Sequence, residues 1–144
     1  MRFMSADSGP RTFLDTNILF YADDAANPDK QSKSIEIITT LRSRRAGVIS
    51  LQVLQEYFVT VRRKLTLDAE IARDQVIYYS GFEVAEPKVS DILAAIDLHR
   101  LHGFSYWDAL VLRMAGQAGC RVLLSEEMQH GRVVDGVEIV NPFL

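Results

Sequence analysis

The sequence predicts an α/β protein with a single domain and a mainly parallel sheet. Short apolar segments, which are typical of buried strands, alternate with longer segments whose apolar residues recur at helical spacing. This alternation is typical of helices that connect parallel strands. The chain has 144 residues, of which 48% are hydrophobic and 24% charged, and such a chain fits one domain around one core.

The first half of the chain is predicted to hold two strands and four helices. Asn27-Pro28 indicates a loop before the second helix, and Gly47 ends that helix. Ser50 and Asp68 can cap the third and fourth helices, because short polar side chains accept hydrogen bonds from free N–H groups. The predicted elements are a strand over 11–14, a helix over 17–22, a loop over 23–30, a helix over 32–45, a strand over 48–49, and helices over 51–63 and 68–79.

The second half is predicted to hold three strands and two helices. Pro87 closes the first strand, and Gly103 ends the helix that follows it. Ser105 can start the last helix, which Gly119 stops. The predicted elements are a strand over 82–85, a helix over 89–102, a helix over 105–118, a strand over 121–124, a turn at 135–136 and a strand over 137–140.

The bulk properties exclude several classes of protein. No apolar run approaches the roughly 18 residues of a membrane span. The polar first ten residues carry no hydrophobic signal segment, so we expect a flexible tail over 1–10 and a domain over 11–144. The single Cys120 cannot form an internal disulfide, and we therefore expect the protein in the cytoplasm.

The charge balance argues against a protein that coats nucleic acid, although it leaves a nuclease open. The net charge is -3, and proteins that coat nucleic acid are usually strongly basic. Basic residues cluster at 42–45 and 62–64, where two predicted helices end. Favourable interaction with the helix dipole explains these clusters without a phosphate contact, and we prefer that explanation.

Five acidic residues interrupt or follow apolar segments at separated places along the chain. Burial of an unpaired carboxylate is costly, and open α/β sheets place ligand sites at the carboxyl ends of their strands. Mg²⁺ or Mn²⁺ would relieve the repulsion between gathered carboxylates, since both ions prefer oxygen ligands. The sequence therefore predicts a divalent-cation site formed by Asp15, Glu56, Asp108 and the pair Glu126 and Glu127.

These acids also have explanations that involve no metal. Asp15 is a favoured helix N-cap, and Ser105 and Asp108 have the spacing of a capping box. The other acids could be ordinary solvent-facing residues of a helix or a loop. The helix around Asp108, which contains Trp107, is apolar nearly all round, so we expect that helix to be mostly buried.

Four segments of the chain resemble the motifs of PIN domains, most closely the VapC-like ribonuclease toxins of type II toxin–antitoxin pairs. The matching segments read FLDTNIL at 13–19, QEY at 55–57, SYWDAL at 105–110 and LLSEEMQHG at 123–131. The resemblance covers the chain from about residue 11 to its end, and the order and spacing of the motifs are fairly specific.

The resemblance implies a three-layer α/β/α sandwich that binds Mg²⁺ or Mn²⁺ and hydrolyses RNA, together with an antitoxin protein as partner and a homodimer. Asp15, Glu56 and Asp108 match the acidic positions of the family. The fourth position is usually Asp, but this chain has Glu127, with Glu126 beside it, so which of the two is the fourth acid stays open. The polar residues of the family around the site are matched by Thr16, Asn17 and Ser125.

Two other functions stay open at this stage. A phosphatase that forms a phosphoaspartate needs a second acid two residues after its nucleophile, where this chain has Asn17, and a Lys for which no candidate is evident. A non-catalytic interaction module could instead use the apolar helix surfaces at 35–41 and 57–61 to bind a partner or a second copy.

Overall fold

A central sheet of six strands, in the order β3-β2-β1-β4-β6-β5, forms the framework of the protein. The computed structural model describes residues 9–144, so most of the predicted tail over 1–10 lies outside the described residues. The strands are β1 (Thr12–Leu14), β2 (Gly47–Ser50), β3 (Glu83–Ala85), β4 (Val122–Leu124), β5 (Val133–Val134) and β6 (Val137–Val140). The helices are α1 (Thr16–Tyr21), α2 (Pro28–Arg44), α3 (Leu51–Lys64), α4 (Ala69–Tyr79), α5 (Val89–His102) and α6 (Tyr106–Gln117).

The sheet is parallel except at one edge, as predicted. Strand β1 pairs in parallel with β2 on one side and with β4 on the other, while β5 pairs antiparallel with β6. From β1 the chain continues outward through β2 and β3, and it later returns to add β4 and β6 on the opposite side. The order of the strands therefore reverses between β1 and β4, and ligands of open α/β sheets bind at such a reversal.

Helices flank the sheet, and their ends follow local rules of capping. Ser50 accepts a hydrogen bond from the Val53 N–H, and Asp68 accepts one from the Glu70 N–H, as the sequence predicts. Gly103 ends α5 with a left-handed φ of 75°, which glycine adopts without a steric penalty. In the part of the chain that the structure describes, no helix is both long enough and apolar enough to cross a membrane.

Three expectations about individual segments were wrong. Helix α2 begins at Pro28, inside the predicted loop over 23–30, because proline at the first helical position needs no hydrogen-bond partner and already has a helical φ. The two-residue strand β5 was not predicted, since so short a segment has no periodicity. The proposed interaction surface at 35–41 and 57–61 lies partly in the core, where Ile37, Tyr57 and Val61 are fully buried.

Candidate functional site

The reversal between β1 and β4 opens into a cleft of about 580 Å³, here called the acidic cleft. Leu14 and Leu124 are partners in the register of β1 and β4, so Asp15 and Ser125 leave adjacent strands side by side. The cleft is lined by Asp15, Thr16, Asn17, Phe20, Tyr21, Gln52, Gln55, Glu56, Val59, Thr60, Arg63, Lys64, Trp107, Asp108, Val111 and Glu127. It thus gathers Asp15, Glu56, Asp108 and Glu127 from four separate segments.

Asp15 lies at the centre of this arrangement and is only 6% exposed. It is the N-cap of α1, and its Oδ1 accepts a hydrogen bond of 2.8 Å from the Thr16 N–H. Its Oδ2 accepts a hydrogen bond of 2.8 Å from the Ser125 hydroxyl and a longer one of 3.4 Å from the Asn17 amide. The capping role and the site role therefore coincide in one side chain.

Ser125 and Asn17 hold Asp15 from the side of β4. Ser125 is fully buried, and its Oγ also accepts hydrogen bonds from the Glu127 N–H at 3.2 Å and the Met128 N–H at 3.3 Å. The Glu126 N–H donates to the Asn17 Oδ1 at 3.1 Å, which directs the Asn17 amide group towards Asp15 and Ser125. These polar residues therefore fix the orientation of the carboxylate rather than merely surround it.

Glu56 reaches the cleft from α3 and is exposed to solvent. Its Oε2 accepts a hydrogen bond of 3.0 Å from the Thr16 hydroxyl, and its Oε1 accepts one of 2.9 Å from the Gln52 amide. Thr16 directly follows Asp15, so this contact links the carboxylate on α3 to the end of β1. Both partners are neutral, and the negative charge of Glu56 remains uncompensated by them.

Asp108 enters the cleft from the first turn of α6 and is half-buried. Ser105 is the N-cap of this helix and accepts a hydrogen bond of 3.1 Å from the Asp108 N–H. The cap explains where α6 begins, and an acid in the first turn interacts favourably with the helix dipole. The preceding residue, Trp107, is 60% exposed and departs from the burial expected for this helix as a whole.

The two glutamates after β4 lie in different environments. Glu127 lines the acidic cleft. Glu126 is absent from the lining, and its carboxylate accepts hydrogen bonds from the Lys30 ammonium and the Tyr21 hydroxyl, each at 2.5 Å. Burial raises the pKa of Glu126, but the bonds from Lys30 and Tyr21 outweigh it and hold that pKa below its ordinary value.

Burial and neighbouring negative charges raise the pKa of two acids in the cleft. Burial raises the pKa of Asp15 to about 6, although the bonds from Ser125 and Thr16 oppose the rise, and the charges of Asp108 and Glu127 add to it. Burial also raises the pKa of Asp108, and the charge of Glu56 contributes in the same direction. Carboxylates that disfavour ionisation in this way are typical of sites completed by a cation.

The donors of the cleft fit the divalent cation that the family resemblance implies. Within residues 9–144, the recorded ion pairs join Glu83, Asp91 and Glu126 to basic residues, and none involves the four carboxylates of the cleft. No three acidic, histidine or cysteine side chains of the described residues stand close enough to form a complete metal cage. Mg²⁺ suits such an open set of oxygen donors, because it is usually held by one or two carboxylates and retains several waters.

Several residues that line the cleft were not predicted as site residues from the sequence, and they include Trp107, Arg63 and Lys64. In the sequence, Trp107 is one of several consecutive apolar residues, and its exposure depends on how α6 packs. Arg63 and Lys64, from the basic cluster at 62–64, line the cleft beside the acids. Their position at i+7 and i+8 from Glu56 is a signal that could have placed them on the same face of α3.

Two solved structures of similar fold are a toxin–antitoxin complex and a toxin. The chain is similar to a chain of a toxin–antitoxin complex from Klebsiella pneumoniae, with a TM-score of 0.65, 16% identity, and coverage of 91% of this chain and 97% of that chain. It is also similar to the sarcin–ricin loop cleaving toxin VapC20 from Mycobacterium tuberculosis, with a TM-score of 0.57, 15% identity, and coverage of 78% and 86%. At these identities the likeness shows a shared fold.

Sequence comparison gives the family directly. No curated protein matches the chain significantly as a whole. The family model for the PIN domain matches residues 12–134, a range that includes both strands of the reversal and all the acids of the cleft. Because that match spans most of the chain, the protein belongs to the PIN domain family.

Proposed function

We propose that this protein is a Mg²⁺- or Mn²⁺-dependent endoribonuclease and the toxin of a toxin–antitoxin pair. The observation that carries the proposal is the convergence of Asp15, Glu56, Asp108 and Glu127 on one cleft without a basic partner among residues 9–144. A stable protein has no structural need for such a gathering, since each carboxylate disfavours the ionisation of its neighbours. A bound cation removes that cost and gives the cleft a chemical use.

One or two of the four carboxylates would hold the cation directly and the others through its waters, and the neutral residues would keep them in place. When bound, Mg²⁺ or Mn²⁺ supplies positive charge that stabilises the phosphodiester transition state and acidifies water. Ser125, Asn17 and Thr16 fix the oxygens of Asp15 and Glu56 through their hydrogen bonds. No histidine is present among the described residues that line the cleft, so carboxylates are the bases closest to a bound substrate.

The role as a toxin is supported by similarity. The two structures described above are a toxin–antitoxin complex and a toxin that cleaves the sarcin–ricin loop. By analogy, this chain would cleave RNA in the cytoplasm, bind a cognate antitoxin and form a homodimer. Helix α5 offers a surface for protein contacts, because Val89, Ile92, Leu93 and Ile96 recur at helical spacing and are all exposed.

The phosphatase alternative gains no support from the cleft. The position that a second acid would need is occupied by Asn17, whose amide is bonded to Ser125 and to the Glu126 N–H. A non-catalytic module stays an outcome of the test below. Such a module would bind its partner without hydrolysing RNA and would be indifferent to metal.

Cleavage of a structured RNA pool tests the proposal. The wild-type protein should cleave with Mg²⁺ or Mn²⁺, and EDTA should stop the reaction. Asp15→Asn should be folded but inactive, whereas Asp97→Asn, which changes an exposed acid on α5 outside the cleft, should cleave like wild type. Cleavage by Asp15→Asn at the wild-type rate, or cleavage that persists in EDTA, would contradict the proposed function.

A further inference from the structure

The exposed ring of Trp107 at the acidic cleft has no structural explanation in the fold. Tryptophan is highly buried on average, because its ring contributes a large apolar surface, yet Trp107 is 60% exposed. Its recorded ring contact is an edge-to-face one with Tyr106, with centroids 5.0 Å apart and planes at 75°. Such a contact occupies part of the indole and leaves most of its surface free for a ligand.

The position of Trp107 connects it to the chemistry of the cleft. It lines the cleft and directly precedes Asp108, so both residues lie in the first turn of α6. An aromatic ring at this position can stack on a flat group of any molecule that brings a phosphate to the carboxylates. Nucleobases are such groups, and every base has a face that can stack.

Helix α3 adds positive charge along the same cleft. Gln52, Glu56, Thr60 and Arg63 recur at helical spacing, and all of them line the cleft, so one face of α3 forms a wall. Arg63 follows Glu56 by seven residues, which corresponds to about 10 Å along a helix. That separation is about three times the 3.4 Å spacing of stacked nucleotides along a strand.

The basic end of this wall carries two cationic groups, Arg63 and Lys64, that form no ion pair within residues 9–144. Lys64 lies 5.8 Å from the centre of the Phe20 ring, which also lines the cleft. The cleft therefore combines acids at one end, a cationic end on α3 and an exposed indole, and this combination is typical of grooves that bind single-stranded nucleic acid.

We propose that Trp107 stacks on an unpaired base next to the scissile phosphate, while Arg63 and Lys64 contact the backbone of the same strand. The proposal rests on the proposed function and adds the residues of this chain that would hold an unpaired base and its backbone. In a duplex the bases are already stacked on one another, so Trp107 would have no free face to contact. Trp107 thereby determines specificity for unpaired RNA.

The intrinsic fluorescence of the protein reports on this contact directly. Trp107 is the single tryptophan of the chain, so any change in indole emission comes from this residue. The probes are a short single-stranded RNA of mixed sequence and the same strand annealed to its complement, with Mg²⁺. The Asp15→Asn variant serves as the background that keeps the RNA intact. The single strand should quench the emission, and the duplex should leave it nearly unchanged.

Substitutions separate stacking from general effects on the surface. Trp107→Ala in the same background should weaken binding of the labelled single strand, measured by fluorescence anisotropy, about tenfold or more. Trp107→Phe should recover part of that loss, because it keeps an aromatic face. Phe58→Ala, which removes a half-exposed ring of α3 outside the cleft, is the matched control and should bind like the background variant.

The outcomes distinguish this inference from the proposed function. If wild type cleaves RNA but Trp107→Ala keeps the wild-type KM and affinity, the inference is wrong and the nuclease assignment stands. If Trp107→Ala instead changes the mass of the protein in solution, measured by light scattering, Trp107 is a protein contact and the inference is also wrong. If wild type neither binds nor cleaves RNA, both fail. Quenching by the single strand together with the selective loss in Trp107→Ala would support the inference.

Discussion

Asp15 and Asp91 are both nearly fully buried at the start of a helix, yet their surroundings shift their pKa values in opposite directions. Asp91 is 3% exposed, and its carboxylate accepts hydrogen bonds of 2.9 Å from the Lys88 N–H and from the Arg113 guanidinium. The Lys88 N–H and then Arg113 hold the pKa of Asp91 below its ordinary value, against the effect of burial. Asp15, by contrast, has neutral donors and acidic neighbours, and burial raises its pKa to about 6.

The difference separates an acid with a countercharge inside the chain from an acid without one, which under the proposed function would be a ligand of the cation. Asp91 finds its countercharge inside the chain, where it links α5 to α6 through Arg113. Asp15 has no such partner within residues 9–144, and its charge is tolerated at a cost that an external cation can relieve. Burial alone therefore does not indicate a metal ligand, whereas the burial of Asp15 without a countercharge supports the proposed role.

The largest expected effect is the loss of cleavage on one side of this comparison only. Asp15→Asn and Asp108→Asn should reduce the rate of RNA cleavage more than about a hundredfold, since even residues that merely orient metal ligands contribute about 10–100-fold. Asp91→Asn should keep the wild-type rate per folded molecule. Rates normalised to the folded fraction, measured by circular dichroism, check the contrast. If Asp91→Asn cleaved RNA as slowly as Asp15→Asn, the proposed difference in role between the two acids would be wrong.

The next largest effect is on stability and concerns Asp91. Asp91→Asn should lower the free energy of unfolding by about 2 kcal/mol, because Arg113 loses its partner in a partly buried environment. Urea denaturation at pH 7 measures the change. The double variant with Arg113→Met should be less destabilised than the sum of the two single variants, and simple additivity would show that the ion pair contributes nothing.

Asp15→Asn, unlike Asp91→Asn, should raise the free energy of unfolding in the absence of metal, by about 1–2 kcal/mol at pH 8. A folded pKa raised to about 6 gives a stabilising contribution that is complete below the unfolded value of 3.8 and is lost as the pH rises through 6. Asparagine imitates the protonated form, so the advantage of Asp15→Asn should shrink between pH 8 and pH 5. Thermal unfolding in EDTA at both values measures it.

Metal provides the control for this stability measurement. Added Mn²⁺ should stabilise the wild-type protein by about 3 kcal/mol at a hundredfold excess over its Kd, and it should stabilise Asp15→Asn much less. In Mn²⁺ the wild-type protein would then be as stable as Asp15→Asn or more stable. Equal stabilisation of both proteins by Mn²⁺ would mean that Asp15 does not take part in binding the cation.

Local features of the fold could be predicted from the sequence, because their causes lie within a few residues. The caps Ser50 and Asp68 and the stop at Gly103 are of this kind. The gathering of the acids is not local, and it was predicted from the parallel sheet and the resemblance to PIN domains. The partners of Glu126 could not be predicted in the same way. Lys30 lies 96 positions away, and only the folded chain brings it to that carboxylate.

The exposure of Trp107 was missed for a related reason. An apolar sequence around α6 predicts a buried helix, and half of the residues of that helix are buried. Which positions of the helix face the cleft depends on how α6 packs against its neighbours, and periodicity cannot give that information. The sequence thus predicted which acids gather, whereas the structure was needed to find what else faces them.

The smallest effect distinguishes the two adjacent glutamates, which repeat the comparison between Asp15 and Asp91 on a smaller scale. Glu127 lines the cleft, and Glu127→Gln should weaken Mn²⁺ binding about tenfold, measured by calorimetry. Glu126 is paired with Lys30 in a partly buried position, so Glu126→Gln should cost about 1 kcal/mol of stability and change metal affinity less than Glu127→Gln. The Glu126 carboxylate contacts Lys30 and Tyr21. The backbone N–H of residue 126, which donates to the Asn17 Oδ1, is unchanged by the substitution. A larger loss of Mn²⁺ affinity in Glu126→Gln would make Glu126 the fourth acid, and its bond to Lys30 would then have to open when the metal binds.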